Sequence, residues 1–242
     1  MVSAKVLADK AAAYAGAMVD CLWIAEAKAA VGLGLVAHDL RERLAYSHGA
    51  AAYETLSRGL LSDLIRTTWA FTLDRDTRAP SVANVWAMLS SADLRRELCE
   101  RLVESRVTTG GRVNVVADEH SELNGALPGL EIAVPAFLES EAAHRMHNAR
   151  NRGIAHYNMI SDANGDVELF DLASLDLRWK HPREFLAIAK PIVLSLAELL
   201  TQTQYAAQDY EFLHNLQAAD FWSRIMGKGS IDVALAKSLP AK

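Results

Sequence analysis

Residues 11–37 read AAAYAGAMVDCLWIAEAKAAVGLGLVA, and how this run is taken decides the fold. It is long and apolar enough to raise the question of a membrane span. Asp20, Glu26 and Lys28 lie inside it, however, and one charged side chain at mid-bilayer costs about 3 kcal/mol. The other choice is a helix with one face in a protein core. Alanine and unbranched side chains lose little freedom on entering a helix, and no proline interrupts the run. The run therefore predicts a core-facing helix over 3–37, no membrane, and an all-α chain.

The whole chain agrees with that reading. Its 242 residues are 51% hydrophobic with mean hydropathy +0.04, enough to bury a core as one domain. The β-branched residues that a sheet prefers are sparse. Cys21 and Cys99 are the two cysteines and neither sits at metal-ligand or redox spacing, so a reducing, cytoplasmic compartment is expected. The first ten residues lack the apolar segment and cleavage site of a secretion signal. A net charge of −5 excludes a protein that coats nucleic acid through a general basic surface. Any RNA contact has to be local.

Outward from the first helix, a break near His38-Asp39 leads into a helical stretch over 41–73, where Leu61, Leu64, Ile65 and Thr68 make one apolar stripe. Asp74-Arg75-Asp76 closes it. Ser81, after Pro80, reads as the N-cap of a helix through Val82, Val85, Trp86 and Leu89 to about 106, closed by Gly110-Gly111. Turn signals at Asn124-Gly125 and Pro128-Gly129 predict a long irregular connector over 110–134, with at most a short helix between 115 and 123. Pro135 then opens a helix over 136–152, with Gly153 as its end or kink. Asn164-Gly165 and the alternation of Val167 and Leu169 predict a small hairpin or ordered loop. Pro182 opens a last long helix, with Phe185, Ile188, Ile192, Leu196 and Leu199 toward the core, a kink at Pro191 and an end at Gly227 and Gly229.

The expected architecture is an antiparallel bundle of four to five long helices in a single domain over 1–242. Its core would cover about 41–224, with the helical region 3–37 packed on it. Bundles host many unrelated functions, so function has to be argued from a site. Trp69, Trp86, Trp179 and Trp222 sit among apolar neighbours as packing residues, Trp179 being also a candidate for stacking on a base.

The least ordinary composition is His144-Arg145-Met146-His147-Asn148-Ala149-Arg150-Asn151-Arg152-Gly153-Ile154-Ala155-His156-Tyr157-Asn158. Three arginines and three histidines share it, and no acidic residue lies between Glu141 and Asp162, which in an acidic chain marks a local anion site. Arg150 and Arg152 offer guanidinium forks matched to phosphate oxygens, and a histidine such as His156 exchanges a proton near neutrality. These are the parts of a metal-free ribonuclease. A histidine deprotonates the 2′-hydroxyl, its oxygen attacks the adjacent phosphorus, and an arginine stabilises charge on the non-bridging oxygens. Arg150 and His156 are six apart and diverge on a regular α-helix, so a break at Gly153 is needed to bring them together.

Arg150-Asn151 followed by His156 resembles the R-x(4–6)-H signature of the HEPN superfamily. The wider phrase Arg-Asn-Arg-Gly-Ile-Ala-His-Tyr is similar to its abortive-infection (AbiU-like) branch. The resemblance extends over about 41–224, and these residues are its one specific motif. It implies a homodimeric helical bundle with two motifs facing each other across a cleft, acting without cofactor or metal as a ribonuclease toxin or in anti-phage defence. It further implies that Arg150 and His156 carry the chemistry and that Asn151 orients them, with Arg152, Tyr157 and His147 supporting or binding RNA. RNA or a nucleotide, a second copy, and an antitoxin or other defence partner are the partners it implies. HEPN toxins paired with a minimal nucleotidyltransferase carry a tyrosine two residues after the histidine. Here Asn158 holds that place and Tyr157 stands one earlier, so the resemblance does not carry that mode of control.

Two other readings stay open. Glu141-x-x-His144 and Glu211-x-x-His214, with Glu26 and Glu54 on other helices, are the ligand inventory of a di-metal carboxylate bundle. In the other, the chain is a non-catalytic helical interaction protein whose motif arginine serves a partner.

Overall fold

The computed structural model describes residues 3–36, 38–47, 49–108, 115–154, 159–161, 167–169 and 178–226. Within these, the backbone path alone is described for 38, 39, 41, 102–108, 115–126, 152–154, the strands 159–161 and 167–169, and 226. The elements are α1 (Ala4–Val36), α2 (His38–Leu44), α3 (Ala50–Thr72), α4 (Val82–Leu89), α5 (Ala92–Thr108), α6 (Val115–Leu138), α7 (Glu141–Asn148), a π-helical turn (Ala149–Ile154), β1 (Met159–Ser161), β2 (Val167–Leu169), α8 (Lys180–Thr201) and α9 (Ala207–Met226). Among the described residues the regular structure is helical, apart from one two-stranded antiparallel ladder pairing Ile160 with Glu168. The expected hairpin is thus present; its Asn164-Gly165 turn lies outside the described residues.

The membrane-like run is a core helix, as its charges required. In α1 the positions Ala8, Ala11, Ala15, Met18, Leu22, Ala25 and Ala29 are all buried, at alternating spacings of three and four. That average of 3.5 keeps these positions on one face of the α-helix. Among the described residues no helix is long and apolar enough to cross a membrane.

The chain divides into two compact units, one of Met1–Leu22, Trp69–His144 and Ala187–Tyr205, the other of Trp23–Thr68, Arg145–Leu186 and Ala206–Lys242. The helices α1, α3, α7 and α8 each contribute residues to both.

In the first unit α4, α5 and α6 pack on one another. Val82, Val85, Leu89, Leu94, Leu130 and Phe137 are buried there. Ser81 caps α4 as expected, accepting from the Asn84 amide at 3.2 Å, and is itself fully buried. The single helix expected to about 106 is two. Ser91 starts α5 by accepting from the Leu94 amide at 3.4 Å, and Arg95 Nε donates to the Leu89 carbonyl at 2.7 Å to finish α4. Serine side chains bond nearby backbone and so favour helix ends over interiors, which is why the Ser90-Ser91 pair divides the run.

Two further expectations are corrected in that unit. The irregular connector over 110–134 is helical from Val115 onward, continuing to Leu138 as α6 with Pro128 and Pro135 inside it. Leu127, Leu130, Val134 and Phe137 are buried at helical spacing, so burial of one face outweighs the local cost of the prolines and the glycine. Pro135 therefore does not open the next helix. Ser140 does, its Oγ accepting from the Ala143 amide at 3.1 Å.

The second unit centres on Leu35 and Trp222, with Val31, Tyr53, Leu60 and Trp179 packed around them. Tyr53 donates to the Leu35 carbonyl at 2.7 Å, and Trp222 Nε1 to the Val31 carbonyl at 2.9 Å. Trp179 lies over Gly32 with Nε1 3.4 Å from Ser57 Oγ and packs on this cluster.

The last long helix is also two. Gln202 adopts φ 55°, the left-handed conformation that ends helices, and α9 begins at Ala207. Pro191 lies within a continuous α8. The buried stripe of α8 runs through Phe185, Ala189, Ile192, Val193, Leu196 and Leu200, whereas Ile188 is 47% exposed and Leu199 half-buried.

Candidate functional site

The basic phrase begins on α7, whose first turn carries Glu141 and whose last turn carries Arg145, each sign at the helix end that favours it, with His147 also in the last turn. Ala143, Met146 and Ala149 are buried. His144 and His147 are exposed on the other side.

At Ala149 the backbone leaves α-geometry and winds as a π-helix to Ile154, so that Arg150, Asn151, Arg152 and Gly153 all lie in the π-turn. This form closes rings from i to i+5, is rare, and occurs mostly as single turns, often at functional sites. The expected departure from α-geometry thus falls on the motif and begins four residues before Gly153.

Within the turn Arg150 and Asn151 are half-buried. Arg150 Nη1 donates to Asn151 Oδ1 at 2.8 Å, and Asn151 Nδ2 lies 2.7 Å from His147 Nε2. Asn151 thus holds the guanidinium on one side and an imidazole on the other. His147 was expected to support the site or bind RNA, and it is joined to Arg150 through this one amide. Arg152 is placed by its backbone in the π-turn. His156 and Tyr157 lie outside the described residues.

The metal-ligand alternative finds no cluster: among the described residues no group of three or more His, Cys, Asp and Glu side chains is arranged to hold a metal ion. Glu54 instead pairs with Arg58 at 3.5 Å. Both ring nitrogens of His214 are enclosed without a hydrogen-bond partner among the described residues, beside the ring of Tyr210, which stacks on Trp23. Burial pushes the Cys99 thiol up, which leaves it a weak nucleophile.

Comparison with models of protein families, with curated proteins and with solved structures finds no match.

Proposed function

We propose that this chain is a HEPN-like, metal-independent endoribonuclease, active as a homodimer and employed as a toxin or in anti-phage abortive infection. The observation that carries the reading is the Arg150 guanidinium held by Asn151 within the π-turn. An arginine that is to meet a pentavalent phosphorane gains from being oriented beforehand, because fixed donors cost no reorganisation when charge develops. Arg150 stabilises the non-bridging oxygens. His156 takes the proton of the 2′-hydroxyl, whose oxygen forms the new bond to phosphorus as the bond to the 5′-oxygen breaks and that oxygen takes a proton from water. The products are a 2′,3′-cyclic phosphate and a 5′-hydroxyl. Arg152, His147 and Tyr157 support the site or meet the RNA, and the protomers pair so that two motifs share a cleft.

The test is the chemistry of the ends. Total RNA and tRNA incubated with the purified chain in EDTA are expected to yield 2′,3′-cyclic phosphate ends; 3′-hydroxyl ends, or cleavage abolished by EDTA, contradict the mechanism.

The interaction-protein reading also has an observation in its favour. Phe212, Leu213 and Leu216 of α9 are 57%, 44% and 54% exposed, more apolar surface than a solvated helix usually carries. That reading expects no RNA cleavage under any condition, and loss of association when Leu216 is replaced by Asp.

A further inference from the structure

His147, Asn151 and Arg150 form a polar chain whose direction is fixed by what each group can do. A guanidinium has donors and no acceptor, so the Asn151 atom facing Arg150 Nη1 at 2.8 Å must be the amide oxygen. The amide nitrogen then faces His147 Nε2 at 2.7 Å, and since it too only donates, Nε2 must present its lone pair. The imidazole in this arrangement is neutral and carries its proton on Nδ1. We infer that His147 is a positioning residue: by accepting from Asn151 it keeps the amide oxygen turned to Arg150 and so sets the plane of the guanidinium.

The inference rests on the reading of Arg150 as the phosphate-binding arginine, and adds to it a residue of α7, outside the π-turn that carries Arg150 and Asn151. The sequence alone offers a different role, a direct RNA contact from the exposed side of α7. The two roles require opposite chemistry. A group that meets phosphate should donate or carry positive charge, whereas a group that holds Asn151 in place must accept. Glutamine at 147 keeps an acceptor, its amide oxygen, within reach. Alanine removes the partner. Lysine can only donate, so it would turn Asn151 round and set the amide NH2 against the guanidinium, two donors opposed.

The experiment uses the full chain and two readouts. In the first, imidazole 15N NMR at neutral pH, with the His147 signals assigned through His147→Gln, is expected to show a ring protonated on Nδ1. A ring protonated on Nε2 overturns the inference whether or not the chain cleaves RNA. In the second, RNA cleavage in EDTA is compared for variants whose circular dichroism and thermal unfolding match wild type. His147→Gln is expected within about threefold of wild type, His147→Ala about tenfold to a hundredfold lower, and His147→Lys lower still, as loss of the charge-assisted bond from Arg150 to the Asn151 oxygen that His147 keeps in place implies. His147→Lys at or above wild-type activity overturns the inference and makes the residue an RNA contact. If no form cleaves, the ribonuclease reading fails, while a ring protonated on Nδ1 together with an Asn151 side-chain amide signal displaced in His147→Ala upholds the positioning role.

Discussion

Trp222 lies against Gly34 so closely that a methyl group on Gly34 would fall 2.1 Å from the indole nitrogen. That indole is 3% exposed and donates to the Val31 carbonyl, so it has no room to retreat. Replacing a helical glycine by alanine ordinarily gains about 1 kcal/mol, but overpacking a filled core costs about 1–3 kcal/mol and here also strains a hydrogen bond worth about 1 kcal/mol. Gly34→Ala is therefore expected to destabilise the protein by about 1–3 kcal/mol in urea unfolding. Gly59, exposed on α3 with nothing within 4 Å of an added Cβ, gives the opposite sign: Gly59→Ala is expected to stabilise by up to about 1 kcal/mol. Equal effects at the two positions would contradict the packing described.

Such a relation shows what was legible in the sequence and what was not. The helix α1, the N-cap at Ser81 and the stripe of Leu64, Ile65 and Thr68 were readable because each depends on residues within a turn or two. The helical path of 115–138 was not, since proline and glycine signals are local and the burial of Leu127, Leu130 and Val134 that overrides them is tertiary. The breaks at Ser91 and Gln202 were missed for the converse reason, an uninterrupted apolar period having outweighed weak local signals. At the site, Arg150 and Asn151 were singled out by composition and resemblance. The onset of the π-turn at Ala149 and the bond between Asn151 and His147 depend on backbone path and side-chain placement, which residue types alone do not set.

Asn84 ties the loop before α4 together. Its amide nitrogen lies 3.0 Å from the Ala79 carbonyl and 3.3 Å from that of Asp74, and it bonds the Asp76 carbonyl as well. Asn84→Asp would turn a carboxylate toward three carbonyl oxygens, whereas Asn84→Ala only removes the donor. Thermal unfolding is expected to show a loss of about 1–2 kcal/mol for alanine and more for aspartate. An aspartate variant as stable as wild type would remove the loop's dependence on this donor.

Lys28 on α1 and Asp63 on α3 form an ion pair, with Lys28 also donating to Thr67 at 2.8 Å. The hydrogen bond from Lys28 is the largest influence on the Asp63 carboxyl and, with Arg66, holds it below its ordinary value of 3.8 against the opposing effect of burial. A carboxyl depressed in the folded state contributes stability above its unfolded pKa and loses it as pH falls through the folded value. Lys28→Met is accordingly expected to cost about 1 kcal/mol or less at pH 7, the range for a partly exposed pair, with the difference from wild type shrinking as pH falls below about 4. A difference that stays constant between pH 7 and pH 2 would assign the loss to packing of the lysine stem.

The measurement that decides the ribonuclease reading is the single-turnover rate of RNA cleavage in EDTA for wild type, Arg150→Ala and His156→Ala, each shown to fold and to sediment alike. The expected result is cleavage by the wild type, a loss of about 10²–10³-fold for Arg150→Ala through lost charge stabilisation, and of about 10²–10⁴-fold for His156→Ala through lost proton transfer. Cleavage that persists unchanged in both variants, or a wild type that cleaves no RNA, would contradict it.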